Sequence, residues 1–279
     1  MKGYFIGTGS VAGYFISTIA INKAVEKKAI RTVFNEPPYK VKGDKLVSVI
    51  IPALEEYTYI GYLLNSIEHQ TYEPIEIIVA DNSDDEGYEK TKDIVMKYKN
   101  AKIIRCEPGN ISRARNAGAK NSKGEILVFC DADVILCYDY IEKMVNALNK
   151  GYVLAHGSNL PFNYNISVPF WAFNHFLFKH KWFTNGASIA VHRFAFDKVK
   201  GFPEDMPEWK KEYNLKKYGI EDKGGDVEFG RRIRKAFGYN SAIRLYTAFL
   251  VVNMRRERHG VGWTCRGIRE HGDEVVILT

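Results

Sequence analysis

Four short apolar runs constrain the fold more than any other feature of the chain. They are Leu46-Val-Ser-Val-Ile-Ile51, Ile75-Glu-Ile-Ile-Val-Ala80, Lys102-Ile-Ile-Arg105 and Ile126-Leu-Val-Phe-Cys130. Rich in β-branched residues and too short for helices, they have the character of strands that a parallel sheet buries on both faces. Helical spacing fills the gaps: Ile60, Leu63, Leu64 and Ile67 share one face of a segment from Ile60 to Gln70, and further helices are expected over about 88–98 and 112–121. This alternation predicts an α/β fold with a mostly parallel, doubly wound sheet. With 279 residues, 46% of them hydrophobic, the chain can bury the core of one large domain or two fused lobes.

Carboxylates stand where those runs stop. Glu55 and Glu56 follow the first strand, Asp81 ends the second, and Asp131 and Asp133 follow the fourth. One acidic strand end is ordinarily a turn or helix-cap residue, but three among four buried strands describe one polar crevice at the carboxyl edge of the sheet. Asp131-Ala-Asp133 is suited to a hard divalent cation. Two oxygen ligands separated by a small residue suffice for Mg²⁺ or Mn²⁺, which fill their shells with water and substrate phosphates.

The formal charge of +7 suits an anionic partner such as nucleotide phosphates or a membrane surface. A purely nucleic-acid-binding module would give no reason for the acidic strand ends, and nucleic acid is not expected as a partner. Cys106, Cys130, Cys137 and Cys265 form no CxxC pair, so reduced thiols in a cytosolic compartment are expected. From Gly3 to Asn22 no residue is charged, which is just long enough for a bilayer-spanning helix. Gly3/Gly7 and Gly9/Gly13 have a spacing that permits close helix packing in membranes. Lys23, Lys27, Lys28 and Arg31 follow, an asymmetry that would leave the main body cytoplasmic, at the inner face of a membrane. An apolar helix packed on the domain is the competing reading.

Residues 32–45, with Pro37-Pro38, read as a linker. The division expected is an anchor and linker over 1–43, an α/β half over 44–160, a second half over 161–250 and a basic tail over 251–279. The second half has a different texture. Residues 161–183 are crowded with aromatics interleaved with Lys179, His180 and Lys181, suiting either core packing or an acceptor platform. A further strand is expected over 244–254.

Four blocks then align in order and spacing: Ile51-Pro-Ala-Leu-Glu-Glu56, Ile77-Ile-Val-Ala-Asp81-Asn-Ser83, Ser112-Arg-Ala-Arg-Asn116-Ala-Gly118, and Gly124-Glu-Ile-Leu-Val-Phe-Cys-Asp131-Ala-Asp133. Together they resemble the family 2 glycosyltransferases of GT-A fold over about residues 46–240. The first block has Glu55 where the family usually has Asn. Two later blocks, Asn185-Gly-Ala-Ser-Ile-Ala-Val-His-Arg193 and Gly225-Asp-Val-Glu-Phe-Gly-Arg-Arg232, are similar to the family's acceptor-side and catalytic segments, with Gly225 in place of a Glu.

The resemblance implies an inverting transfer of one sugar from a nucleotide-sugar donor, UDP- or GDP-linked, to a glycan, lipid or protein acceptor. Pro52, Ala53 and Glu56 would lie beside the nucleotide, Asp81 would accept a hydrogen bond from its base, and Arg115 would contact base or phosphates. Asp133 would be the main ligand of Mn²⁺ or Mg²⁺, with Asp131 beside it orienting ribose or sugar and His259 completing the metal or diphosphate site. Asp226 would be the general base that takes the acceptor hydroxyl's proton. Asp222, following a literal Glu221, competes with it. Arg113 reads as a solvent-facing helix charge. The Gln-x-x-Arg-Trp motif of processive synthases is absent, which favours transfer of single sugars. A sugar nucleotidyltransferase is the enzymatic alternative, but it would place a Gly-rich phosphate loop where this chain has Pro52-Ala-Leu-Glu-Glu56.

Overall fold

Strand pleat sorts the residues of the first strand between two cores. The computed structural model describes residues 8–107, 110–161, 187–204 and 225–252. In β1 (Val41–Ala53), Val47, Val49 and Ile51 face one core while Ile50 faces the other. The first core contains α2 (Ile60–Glu68), through Ile60, Leu63, Leu64 and Ile67, and α5 (Tyr140–Asn149), through Tyr140, Ile141, Met144 and Leu148. The second gathers Ala119 of α4 (Ile111–Lys120), Phe196 of α6 (Arg193–Lys198), Phe202, and Phe229 and Ile233 of α7 (Gly225–Phe237).

The remaining elements are α1 (Thr8–Phe34), β2 (Tyr72–Asp81), α3 (Asp85–Val95), β3 (Ala101–Arg105), β4 (Ile126–Cys130), β5 (Val134–Leu136), β6 (Leu154–Pro161), β7 (Ser188–His192) and β8 (Ala242–Val252). The eight strands form one sheet in the order β3-β2-β1-β4-β7-β6-β8-β5. β1 to β4 are mutually parallel, as the alternation predicts. Beyond β4 the sheet is mixed: β7 runs antiparallel to both β4 and β6, β6 and β8 are parallel, and β5 is antiparallel to β8. β7 and β8 come from the second half of the chain and complete the same sheet. The fold is thus a mixed α/β sheet, mostly parallel.

The N-terminal segment departs from expectation. Among the described residues no helix is long and apolar enough to cross a membrane. α1 begins in the uncharged stretch but continues as one helix through Lys23, Lys27, Lys28 and Arg31, so apolar and basic residues share its length. Its second half packs on the domain: Val25 and Ala29 join Cys137 and Val251 in a small core, and Lys28 Nζ donates to Asp139 Oδ2 at 2.7 Å. The backbone N–H of Tyr138 donates to Thr32 Oγ1 at 3.0 Å. The spanning helix expected over 3–22 is therefore not found across its described part, 8–22, and residues 1–7 lie outside the description. The linker is also shorter than expected, because helix reaches Phe34 and strand resumes at Val41. The aromatic run 162–183, Asp222 and His259 lie outside the described residues.

Candidate functional site

The carboxyl ends of β1, β2 and β4 reach one edge of the sheet. Ala53 is in register with Asp81, and Asp81 with Arg105. Pro52 and Ala53 are buried at the end of β1, and Glu56 follows in the loop where its carbonyl accepts the N–H groups of Tyr59 and Ile60, starting α2. Backbone bonds bind these ends together: Asn82 N donates to Ala53 O at 3.1 Å, and Cys106 N to Asp81 O at 2.7 Å. Asp81 is fully buried. Its Oδ1 accepts from Ser83 N at 2.7 Å, while Oδ2 has no partner among the described residues. An unpaired buried carboxylate oxygen is costly, so a donor on a ligand is its natural complement.

Arg115 reaches this edge from below. Asn110 caps α4 by accepting the Arg113 N–H at 3.1 Å, which starts the helix so that Arg115 falls on its buried face. Arg115 is only 3% exposed; its Nη2 donates to Asp131 Oδ1 at 2.8 Å and its guanidinium lies 5.1 Å from the Phe202 ring centroid. Asp131 is itself anchored by its N–H, which donates to Ala187 O at 3.1 Å. Burial pushes the Asp131 carboxyl up to about 6; Arg115 opposes the rise, whereas the carboxylates of Asp133 and Asp226 add to it. Asp131 therefore feels Asp133 and Asp226 as well as the Arg115 guanidinium.

The chemistry of these carboxylates suits a divalent cation, since hard carboxylate oxygens are the donors that Mg²⁺ and Mn²⁺ take. Among the described residues no group of three or more His, Cys, Asp or Glu side chains is placed to hold a metal ion. An open pair of aspartates leaves coordination positions for phosphate oxygens and water.

Asp226 comes near Asp131 where the first residue of α7 meets α4. A Cβ on Gly225 would lie 2.4 Å from Ser112 Oγ, so the glycine that replaces the family's Glu is what lets the helix start this close. One residue later Asp226 occupies the first turn, where the helix dipole favours a carboxylate. Phe229 stacks on Phe202 at 4.3 Å, and Phe202 meets Phe129 edge-on at 4.8 Å. Buried Glu228 holds Arg231 through two bonds, of 2.6 and 2.8 Å, and Arg232 at 3.2 Å.

Sequence reasoning missed the supports. Asn116 fastens the loop below α7: its Nδ2 donates to Phe202 O and its Oδ1 accepts the Phe202 N–H, both at 2.9 Å. That partner lies 86 residues away, so no local pattern could reveal it. Ser83, two residues after Asp81, was a legible turn signal. Arg113 is half exposed and pairs with Glu204 at 3.4 Å, a solvent-facing charge as expected.

The mixed, mostly parallel sheet with its helices is a fold of GT-A type. The profile of glycosyl transferase family 2 matches residues 48–201, more than half of the chain, and the chain belongs to that family. It is similar to glycosyltransferase AglE of Haloferax volcanii, 34% identical over 42% of this chain and 40% of that protein. It is also similar to dolichol-phosphate mannosyltransferase of Pyrococcus furiosus, 30% identical over 57% of this chain and 44% of the other. The chain thus spans less than half the length of these relatives. In three dimensions it resembles mannosyltransferase PcManGT from Pyrobaculum calidifontis, solved in complex with GDP-Man and Mn²⁺: the TM-score is 0.58 at 20% identity, covering 86% of this chain and 67% of that one.

Proposed function

We propose that the protein is an inverting glycosyltransferase that moves a single sugar from a UDP- or GDP-sugar to a hydroxyl of a glycan, lipid or protein acceptor, or to a lipid phosphate. The observation that carries this reading is the Asp131–Arg115 pair, within electrostatic reach of Asp133 and Asp226, at the sheet edge that also holds Asp81. Residues 44–160 bind the donor and 161–250 supply the acceptor side and the base. Asp81 Oδ2 accepts an N–H from the nucleobase, and Pro52, Ala53 and Glu56 line its path. Asp133, with Asp131, would hold Mn²⁺ or Mg²⁺, which when bound neutralises charge on the departing nucleoside diphosphate. Arg115 fixes Asp131 and balances part of its charge. Asp226 removes the acceptor proton as the acceptor oxygen attacks the anomeric carbon opposite the leaving phosphate.

The exposed face of α1 fits an anionic membrane surface. Ile16 and Ile21 are 68% and 53% exposed, and Lys23, Lys27 and Arg31 are exposed further along the helix. Attachment there would be peripheral, on the cytoplasmic side.

The reading is tested by incubating the purified protein with a panel of UDP- and GDP-sugars and Mn²⁺ and measuring nucleotide release. Release from one donor, stimulated by lipid-phosphate or glycan acceptors, is expected; inertness with every donor would reject it.

A further inference from the structure

The position at which this chain departs from its family, Glu55, adopts the left-handed backbone conformation, with φ of 55°. That region is unfavourable for a non-glycine residue, so surrounding contacts must hold it. Two do. The Glu55 N–H donates to Ser83 Oγ at 2.8 Å, and the Glu55 carboxylate turns back toward the start of α3, where Oε1 accepts the Asp84 N–H at 3.2 Å. Ser83 in turn donates its N–H to Asp81 Oδ1 at 2.7 Å. A chain of contacts thus runs from the amino end of α3 through Glu55 and Ser83 to the carboxylate whose other oxygen is unpaired among the described residues.

Gly87 shows that the carboxylate is accommodated. A Cβ there would lie 2.5 Å from both Glu55 carboxylate oxygens. The first turn of α3 therefore has a recess at Gly87 that the Glu55 side chain fills. Asp84 caps the same turn by accepting the Gly87 N–H at 2.8 Å, so the helix start is already satisfied without Glu55.

We infer that Glu55 is a positioning residue for the donor nucleotide: lodged against Gly87, it fixes Ser83 and thereby the orientation of Asp81. This rests on the reading of Asp81 as the base-binding residue. Asn, the family's usual residue here, tolerates the left-handed backbone but is one methylene shorter and cannot reach Asp84 in the same way. In this chain the loop is pinned to α3 through the side chain.

Gly87→Ala separates positioning from folding. Alanine favours the helix over glycine, so the protein should remain folded, while the new Cβ displaces the flexible end of Glu55. Binding of UDP and GDP with Mn²⁺ is measured by calorimetry, and donor KM and kcat by nucleotide release. Gly87→Ala and Glu55→Ala should each weaken nucleotide binding about tenfold and raise KM accordingly, with kcat changed less than about twofold. Glu55→Gln retains an acceptor for the Asp84 N–H and should bind nearly as wild type. Wild-type affinity in both Gly87→Ala and Glu55→Ala would overturn the inference. Weak binding by Glu55→Gln equal to that of Glu55→Ala would overturn it too, since charge rather than reach would then matter. A wild-type protein that binds neither nucleotide would instead reject the underlying functional reading and the inference with it.

Discussion

Arg115 Nη2 and Asp131 Oδ1 are 2.8 Å apart, joining a nearly buried cation on α4 to the first acid after β4. The pair is unequal in exposure: the Arg115 side chain is 4% exposed and that of Asp131 32%. The arginine is held by the fold, and the aspartate faces the crevice. Arg115→Met should remove the cation that pairs with Asp131. The expected result is a loss of about 1–3 kcal/mol in stability, discounted because Asp131 meets solvent, together with weakened nucleotide binding. Arg115→Lys should recover charge but not the planar contact with Phe202, giving an intermediate phenotype. Chemical denaturation and nucleotide titration measure both.

Removal of divalent cations should abolish nucleotide-sugar turnover, with Mn²⁺ or Mg²⁺ restoring it. Asp133→Ala should reproduce the loss without unfolding the protein, because Asp133 is partly exposed in the turn between β4 and β5. Full activity after chelation would remove the metal from the mechanism.

Acid should weaken the sheet through Glu76. Burial alone would raise its carboxyl, but hydrogen bonds from Ser48 Oγ at 2.6 Å, Lys123 N and Gly124 N outweigh it, leaving Glu76 below its ordinary value of 4.5. A carboxyl lowered on folding stabilises the native state above its unfolded value, and that stabilisation disappears as pH falls through the folded value. Glu76→Gln should cost roughly 1 kcal/mol near neutrality and much less near pH ~3. Thermal melts of both proteins across this range provide the check.

The exposed face of α1 gives a separate expectation. Vesicles containing anionic lipid should retain the protein, and Ile16→Glu with Ile21→Glu should release it, as should high salt. Equal retention of the double variant would remove α1 as the attachment surface.

How much of this was legible depended on the range of the interaction. Periodicity located β1 to β4 and their helices because burial on both faces leaves a local apolar signature, and the acids at their ends marked one sheet edge. The strand boundaries were less visible: β1 starts at Val41, within Lys- and Gly-containing sequence, because it pairs there with Tyr72 and Glu73 of β2. The antiparallel entry of β7 depends on pairing between Cys130 and Ser188, and no local pattern encodes such a partner. The uncharged N-terminal stretch suggested a membrane span, whereas Val25, Ala29 and Val33 are buried further along the same helix. Gly225 looked like a lost carboxylate; its place against Ser112 shows the close approach of α7 that brings Asp226 to the site.

The base role proposed for Asp226 is distinct from donor binding, although Asp226 lies within electrostatic reach of Asp131. The most direct measurement compares wild type with Asp226→Asn in two assays, nucleotide binding and sugar transfer. Transfer is expected to fall by about 10²–10⁴-fold while nucleotide affinity stays within about twofold. Transfer at the wild-type rate, or its loss in Asp222→Asn instead, would contradict the base role of Asp226.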